Sequence, residues 1–123
     1  GEVNSLGRIK FMLPNPYAVY LHDTPSRHLF NRPVRTFSSG CIRVAEPVRL
    51  ANFVLNDGRD YMTPDVLEAI SSGENQIVSL PRVVPVYMLY QTAWVDDEGM
   101  AHFRDDVYGR DFLVLRAWSS AAG

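Results

Sequence analysis

The chain contains a single cysteine, Cys41, among 123 residues. No internal disulfide is possible, so stability has to come from a hydrophobic core. Its three histidines, His22, His28 and His102, show no HxxxH spacing and there is no CxxC, so no metal site is expected and no cofactor is implied. No apolar run approaches the roughly 20 residues needed to cross a bilayer. The first ten residues also lack a basic stretch followed by an apolar one; if the full-length protein is exported, its signal or membrane anchor is expected upstream of Gly1, where the chain reads as cut from a longer protein. Net charge is only -2, from 12 Lys+Arg against 14 Asp+Glu, which provides no field for nucleic acid or an anionic membrane surface. What the chain does have, 46% hydrophobic and 21% charged residues, suits one globular domain over residues 1–123.

Ile9, Phe11 and Leu13 alternate with Arg8, Lys10 and Met12, the period of a half-buried strand, and Pro14-Asn15-Pro16 stops the run. Residues 18–22 alternate again, with Val19 and Leu21 on one face and Tyr20 and His22 on the other, predicting an antiparallel hairpin with His22 at a strand end. Residues 23–37 are rich in Pro, Ser, Arg and Asn and are expected to form a long ordered loop. After Cys41, Glu46-Pro47 opens a helix whose apolar face carries Leu50, Ala51, Val54 and Leu55, with Gly58 past its end. A second helix is expected from Thr63-Pro64-Asp65, with Thr63 as cap, Val66, Leu67 and Ile70 as stripe and Gly73 as stop. Residues 77–80 and 83–90 read as strands, and residues 92–95 and 101–103 as a hairpin around Asp96-Asp97-Glu98-Gly99, completing a β-meander with a tail.

A thiol becomes a nucleophile as thiolate, a form favoured by a nearby imidazole or a helix N-terminus. His22 and the helix opening at Pro47 offer both devices. A lone cysteine is more often a small buried hydrophobe, so the surrounding block Ser38-Ser39-Gly40-Cys41-Ile42-Arg43 carries the case. A glycine before a nucleophile permits a tight turn and lets backbone N–H groups meet a developing oxyanion.

This block, with Leu21-His22-Asp23-Thr24-Pro25 and the hairpin sequence Leu6-Gly7-Arg8-Ile9-Lys10-Phe11, resembles the YkuD-type L,D-transpeptidase family. Ser39 stands where many members carry a second histidine, as in the subgroup of large periplasmic enzymes of Gram-negative bacteria. Likeness to that subgroup extends through Pro85-Val86-Tyr87-Met88-Leu89-Tyr90 and Thr92-Ala93-Trp94-Val95-Asp96 to Asp111. The resemblance implies a mainly β, in minor part α+β, fold: a β-sandwich core with two short helices, shortened by strands that lie before Gly1. It further implies a peptidoglycan-synthesising acyltransferase of the periplasm, active in cell wall biogenesis and cell shape, with stem peptides as substrates and carbapenems as inhibitors.

By the same resemblance Cys41 attacks the carbonyl after the third residue of a tetrapeptide stem, releases D-alanine and passes the acyl group to an amine, forming 3-3 crosslinks. His22 is the general base, its tautomer set by the carbonyl of Asp23. Gly40 and Cys41 supply oxyanion donors, Ser38 and Ser39 hydrogen-bond the loop or the histidine, and Tyr20 lines the pocket. Arg43 either binds a substrate carboxylate, which its planar fork suits, or braces the loop. His28 and His102 are expected at the surface, Tyr87, Tyr90 and Trp94 in packing, and Arg104-Asp105-Asp106 in a solvated turn. Two other classes stay open. A papain-like or NlpC/P60-like cysteine peptidase, or a carboxypeptidase acting on peptidoglycan, would share the thiolate chemistry, although in those peptidase folds the cysteine precedes its histidine and only His102 follows Cys41. The other is a cell-wall-binding fragment without activity.

Overall fold

In the computed structural model, which describes residues 4–59 and 64–121, the first alternating run pairs only at its centre. Strand β1 is Lys10–Phe11 and β2 is Leu21–His22, antiparallel, with Lys10 opposite His22 and Phe11 opposite Leu21. The expected hairpin is present but shorter than residues 8–13 and 18–22, and its connection explains why. Pro14 and Pro16 bring no N–H to a ladder. Asn15 substitutes for it: its Nδ2 donates to the carbonyls of Leu13 and Val19 at 2.7 Å each, and its Oδ1 accepts the N–H groups of Tyr17 (3.0 Å) and Val19 (3.1 Å).

Strand β3, Ile42–Arg43, lies parallel to β2, with Leu21 opposite Ile42 and His22 opposite Arg43, so the sheet order is β1-β2-β3. The pairing is extended by Ile42 N–H to the Tyr20 carbonyl (3.1 Å) and Val44 N–H to the His22 carbonyl (2.9 Å). Parallel neighbours need a long crossover, and the loop of residues 23–37 provides it, tightened by one 3-10 turn at Arg27–Asn31.

Helix α1, Pro47–Leu55, starts at the expected proline and buries Pro47, Ala51 and Asn52, while Leu50, Val54 and Leu55 are half-buried. It stops where Asp57 (φ 56°) and Gly58 (φ 85°) turn left-handed, and Gly58 N–H returns to the Phe53 carbonyl at 2.8 Å. Helix α2 is Pro64–Ser71. Its expected cap Thr63 lies outside the described residues, as do the side chains of Asp65 and Val66.

The chain divides into two units, Gly1–Val84 and Pro85–Gly123. In the second, β4 (Ala93–Val95) and β5 (Ala101–Phe103) form the expected antiparallel hairpin. Asp96 closes its turn by accepting the N–H groups of Glu98 (3.0 Å) and Met100 (2.9 Å) on Oδ1.

Two expectations are corrected. Residues 77–80 and 83–90 form no strand: Ile77 is 100%, Val83 89% and Tyr87 83% exposed, so these β-prone residues have no neighbour on which a ladder could form. Beyond the hairpin the tail is a third helix, α3, Asp111–Ala121. The Asp111 N–H is received by Asp106 Oδ2 at 2.8 Å, and its own carboxylate accepts the Thr92 hydroxyl at 2.8 Å. Asp106, expected in a merely solvated turn, is thus a structural acceptor, and it also takes the Tyr90 hydroxyl at 2.5 Å. Among the described residues, three helices and short strands in two small sheets make the fold α+β, with one helix more than expected.

Candidate active site

Residues opposite one another in a sheet point to the same face, as do residues two apart along a strand. The register of β1, β2 and β3 therefore gathers Lys10, His22 and Arg43 on one face, with Tyr20 joining from the segment before β2 and Cys41 from the residue before β3. Side-chain contacts agree. The Lys10 Nζ sits 3.9 Å from the centre of the Tyr20 ring, and the Tyr20 and His22 rings are 5.8 Å apart. The pKa of the Tyr20 phenol is raised, first by its interaction with the Cys41 side chain, then by burial and by the charge of a Cys41 thiolate, which keeps Tyr20 neutral.

His22 is 5% exposed, and its Nδ1 lies 2.5 Å from the Asp23 carbonyl. A carbonyl oxygen only accepts, so Nδ1 carries a proton, and in the neutral ring Nε2 then presents a lone pair. This is the tautomer a general base needs. Asp23 is itself pinned: its N–H donates to the Ile9 carbonyl (2.9 Å), its Oδ2 accepts the Arg8 N–H (3.0 Å), and its Oδ1 accepts the Thr24 N–H (2.7 Å) and Arg27 Nη2 (3.1 Å). With its carboxylate so engaged, Asp23 stands as a brace beneath His22. Gly7 makes room for it, with φ +65° and a position where a Cβ would fall 2.3 Å from Asp23 Oδ2.

The cysteine loop is more open. Cys41 is half-buried, Ser38, Ser39 and Gly40 are exposed, and the Gly40 N–H reaches the Ser38 hydroxyl at 3.3 Å. That bond is long enough to exchange for a better acceptor. Gly40 does not occupy the left-handed region, and an added Cβ would meet only Val19 Cγ2 at an ordinary 3.7 Å. The folded chain thus imposes no glycine here, unlike at Gly7. Arg43 is half-buried, and its Nη1 is buried without a hydrogen-bond partner among the described residues. A buried guanidinium nitrogen left unpaired is costly and suited to an incoming carboxylate.

Other singled-out residues lie elsewhere. His28 is exposed in the 3-10 turn. His102 belongs to the second unit, where it stacks on Trp94 (5.3 Å between ring centres, 12° between planes) and pairs with Asp96 at 2.7 Å. Reading the sequence passed over Lys10, Arg27 and the part played by Gly7. Lys10 was legible as the polar partner in an alternating strand, but the contacts of Arg27 and Gly7 depend on the crossover.

A thiol, a phenol and an imidazole gathered on one face of a sheet are the equipment of cysteine-dependent acyl-transfer chemistry. The chain matches the L,D-transpeptidase catalytic domain (YkuD) over residues 1–88, and it belongs to that family. The match contains every residue of the face just described. A Haemophilus influenzae protein named "Putative L,D-transpeptidase" is 35% identical over 108 residues, 88% of this chain. The chain spans 22% of that relative's length.

Proposed function

We propose that the chain carries the catalytic centre of a peptidoglycan L,D-transpeptidase, with Cys41 as nucleophile and His22 as base. The observation that supports this best is the parallel register of β2 and β3, which brings the residue before Ile42 alongside Tyr20 and His22. In this reading His22 Nε2 takes the thiol proton as sulfur attacks the carbonyl after the third stem residue, and the oxyanion is met by N–H groups of Gly40 and Cys41. The imidazolium so formed returns the proton to the departing D-alanine amine, leaving a thioester on Cys41. An acceptor amine then attacks, gives its proton to His22 and expels the thiolate. With a second stem peptide as acceptor the product is a 3-3 crosslink.

The cations of Lys10 and Arg43 on this face suit a stem residue bearing a side-chain carboxylate, and favour the binding role for Arg43 over the brace. The three-stranded sheet would be one wall of the family's β-sandwich. In this reading the protein works in the periplasm and contributes to cell shape, and a nucleophilic Cys41 makes it a target for carbapenems.

Intact-protein mass spectrometry after incubation with a tetrapeptide stem, and separately with a carbapenem, tests the reading. A covalent adduct is expected that is absent in Cys41→Ala and forms at least tenfold more slowly in His22→Ala, since a positioned general base contributes about 100-fold or more. An adduct formed equally well without Cys41, or none on folded protein, would overturn it.

A further inference from the structure

The proposed base lies on β2 and the proposed nucleophile immediately before β3, and His22 acts only if β2 keeps its register against β3 to within a fraction of an ångström. Each strand is two residues long, so side chains outside the ladder must help to hold them. One side chain reaches both. The Arg27 Nη2 donates to Asp23 Oδ1 at 3.1 Å, and its Nη1 donates to the carbonyl of Ala45, on the segment that leaves β3. Asp23 is the residue whose backbone carbonyl receives His22 Nδ1, and its side chain also binds the Arg8 N–H beside β1. One chain of bonds thus runs from the entry of β1, through the support of the base, to the exit of the nucleophile's strand.

We propose that Arg27 is a positioning residue, acting through Asp23 and Ala45 to hold His22 in register with Cys41. The proposal rests on the reading of Cys41 and His22 as a working pair. A guanidinium is suited to the task because it places two acceptors on separate nitrogens of one rigid plane, whereas a lysine offers one flexible point charge. With a side chain 55% exposed, Arg27 adds little as an isolated ion pair, so its role is geometric.

The test is the pH dependence of Cys41 alkylation by iodoacetamide, followed by intact mass in the unmodified chain, Arg27→Ala, Arg27→Lys, His22→Ala and the surface control Arg49→Ala. This readout needs no stem peptide and no acceptor. Arg27→Ala is expected to lower the rate at pH 7 about five- to tenfold and to change the profile in the same sense as His22→Ala, because a misplaced imidazole no longer assists the thiol. Arg27→Lys should recover part of the loss, and Arg49→Ala should stay within about twofold of the unmodified chain. An Arg27→Ala profile that superimposes on the unmodified one while that of His22→Ala is displaced overturns the role of Arg27 alone. If His22→Ala is also unmoved, the pairing of base and nucleophile fails, and the proposal with it. Should Arg27→Ala not fold, by circular dichroism, Arg27→Lys decides: a roughly threefold loss is expected, and a rate equal to that of the unmodified chain refutes the proposal.

Discussion

Replacing Gly7 with alanine should disturb the site without touching a reacting group. At φ +65° an alanine pays about 1–2 kcal/mol for its left-handed backbone. The larger effect is steric. The new methyl would lie 2.3 Å from Asp23 Oδ2 and 2.5 Å from its Cβ, so the carboxylate must turn and the backbone that carries the Cβ must shift, releasing the Arg8 N–H. A hydrogen bond to a charged group contributes about 1.5–3 kcal/mol; with the Asp23 side chain 13% exposed, part of that is recovered from water, leaving about 1–2 kcal/mol. The sum is about 2–4 kcal/mol, which for a chain of this size lowers Tm by roughly 8–15 °C. Thermal unfolding followed by circular dichroism measures it. In an Asp23→Gly background both the carboxylate and the Cβ that the new methyl would meet are gone, and the same substitution should cost only the backbone share, about 1–2 kcal/mol. A Gly7→Ala protein melting within about 2 °C of the unmodified chain, or an equal cost in both backgrounds, would refute the reasoning.

Gly40→Ala makes the opposite case. With an ordinary 3.7 Å contact awaiting its methyl, the variant should melt within about 2 °C of the parent, yet acylate at least tenfold more slowly, because the methyl stands where substrate meets the oxyanion donors; equal acylation rates would remove Gly40 from the site. Acid should loosen the second unit through Asp106 and Asp96. The Tyr90 hydroxyl foremost holds the Asp106 carboxyl below its usual range, and the His102 bond does the same for Asp96. A depressed carboxylate stabilises the fold above its unfolded value of about 3.9, and that contribution is lost as pH falls through the folded values. Near-UV circular dichroism should therefore change at low pH, and Tyr90→Phe should move the change to higher pH; identical acid midpoints would show that the bond does not matter.

Chemistry was legible in the sequence where it is local. The Pro47 start and Gly58 stop of α1, the turn at residues 96–99 and the block around Cys41 are each decided by neighbours in the chain, because capping, turn geometry and period-two alternation act over a few residues. The run Phe112-Leu113-Val114-Leu115 has no clear period, and its helix is fixed at the start by Asp106 and Thr92, partners that sequence spacing does not reveal. Residues 77–80 and 83–90 show the converse: β-branched composition expresses a preference, but a strand exists only where another lies beside it.

The sequence by itself determined the reactive inventory, one thiol and a strand-end histidine with a glycine before the nucleophile, because side-chain chemistry belongs to each residue. Only the tertiary structure decided that β3 lies parallel to β2, that Asp23 turns its carbonyl to His22 and its carboxylate to Arg8 and Arg27, and that Gly7, not Gly40, is the glycine the fold requires. Those outcomes depend on contacts across the long crossover, whose geometry no local preference encodes.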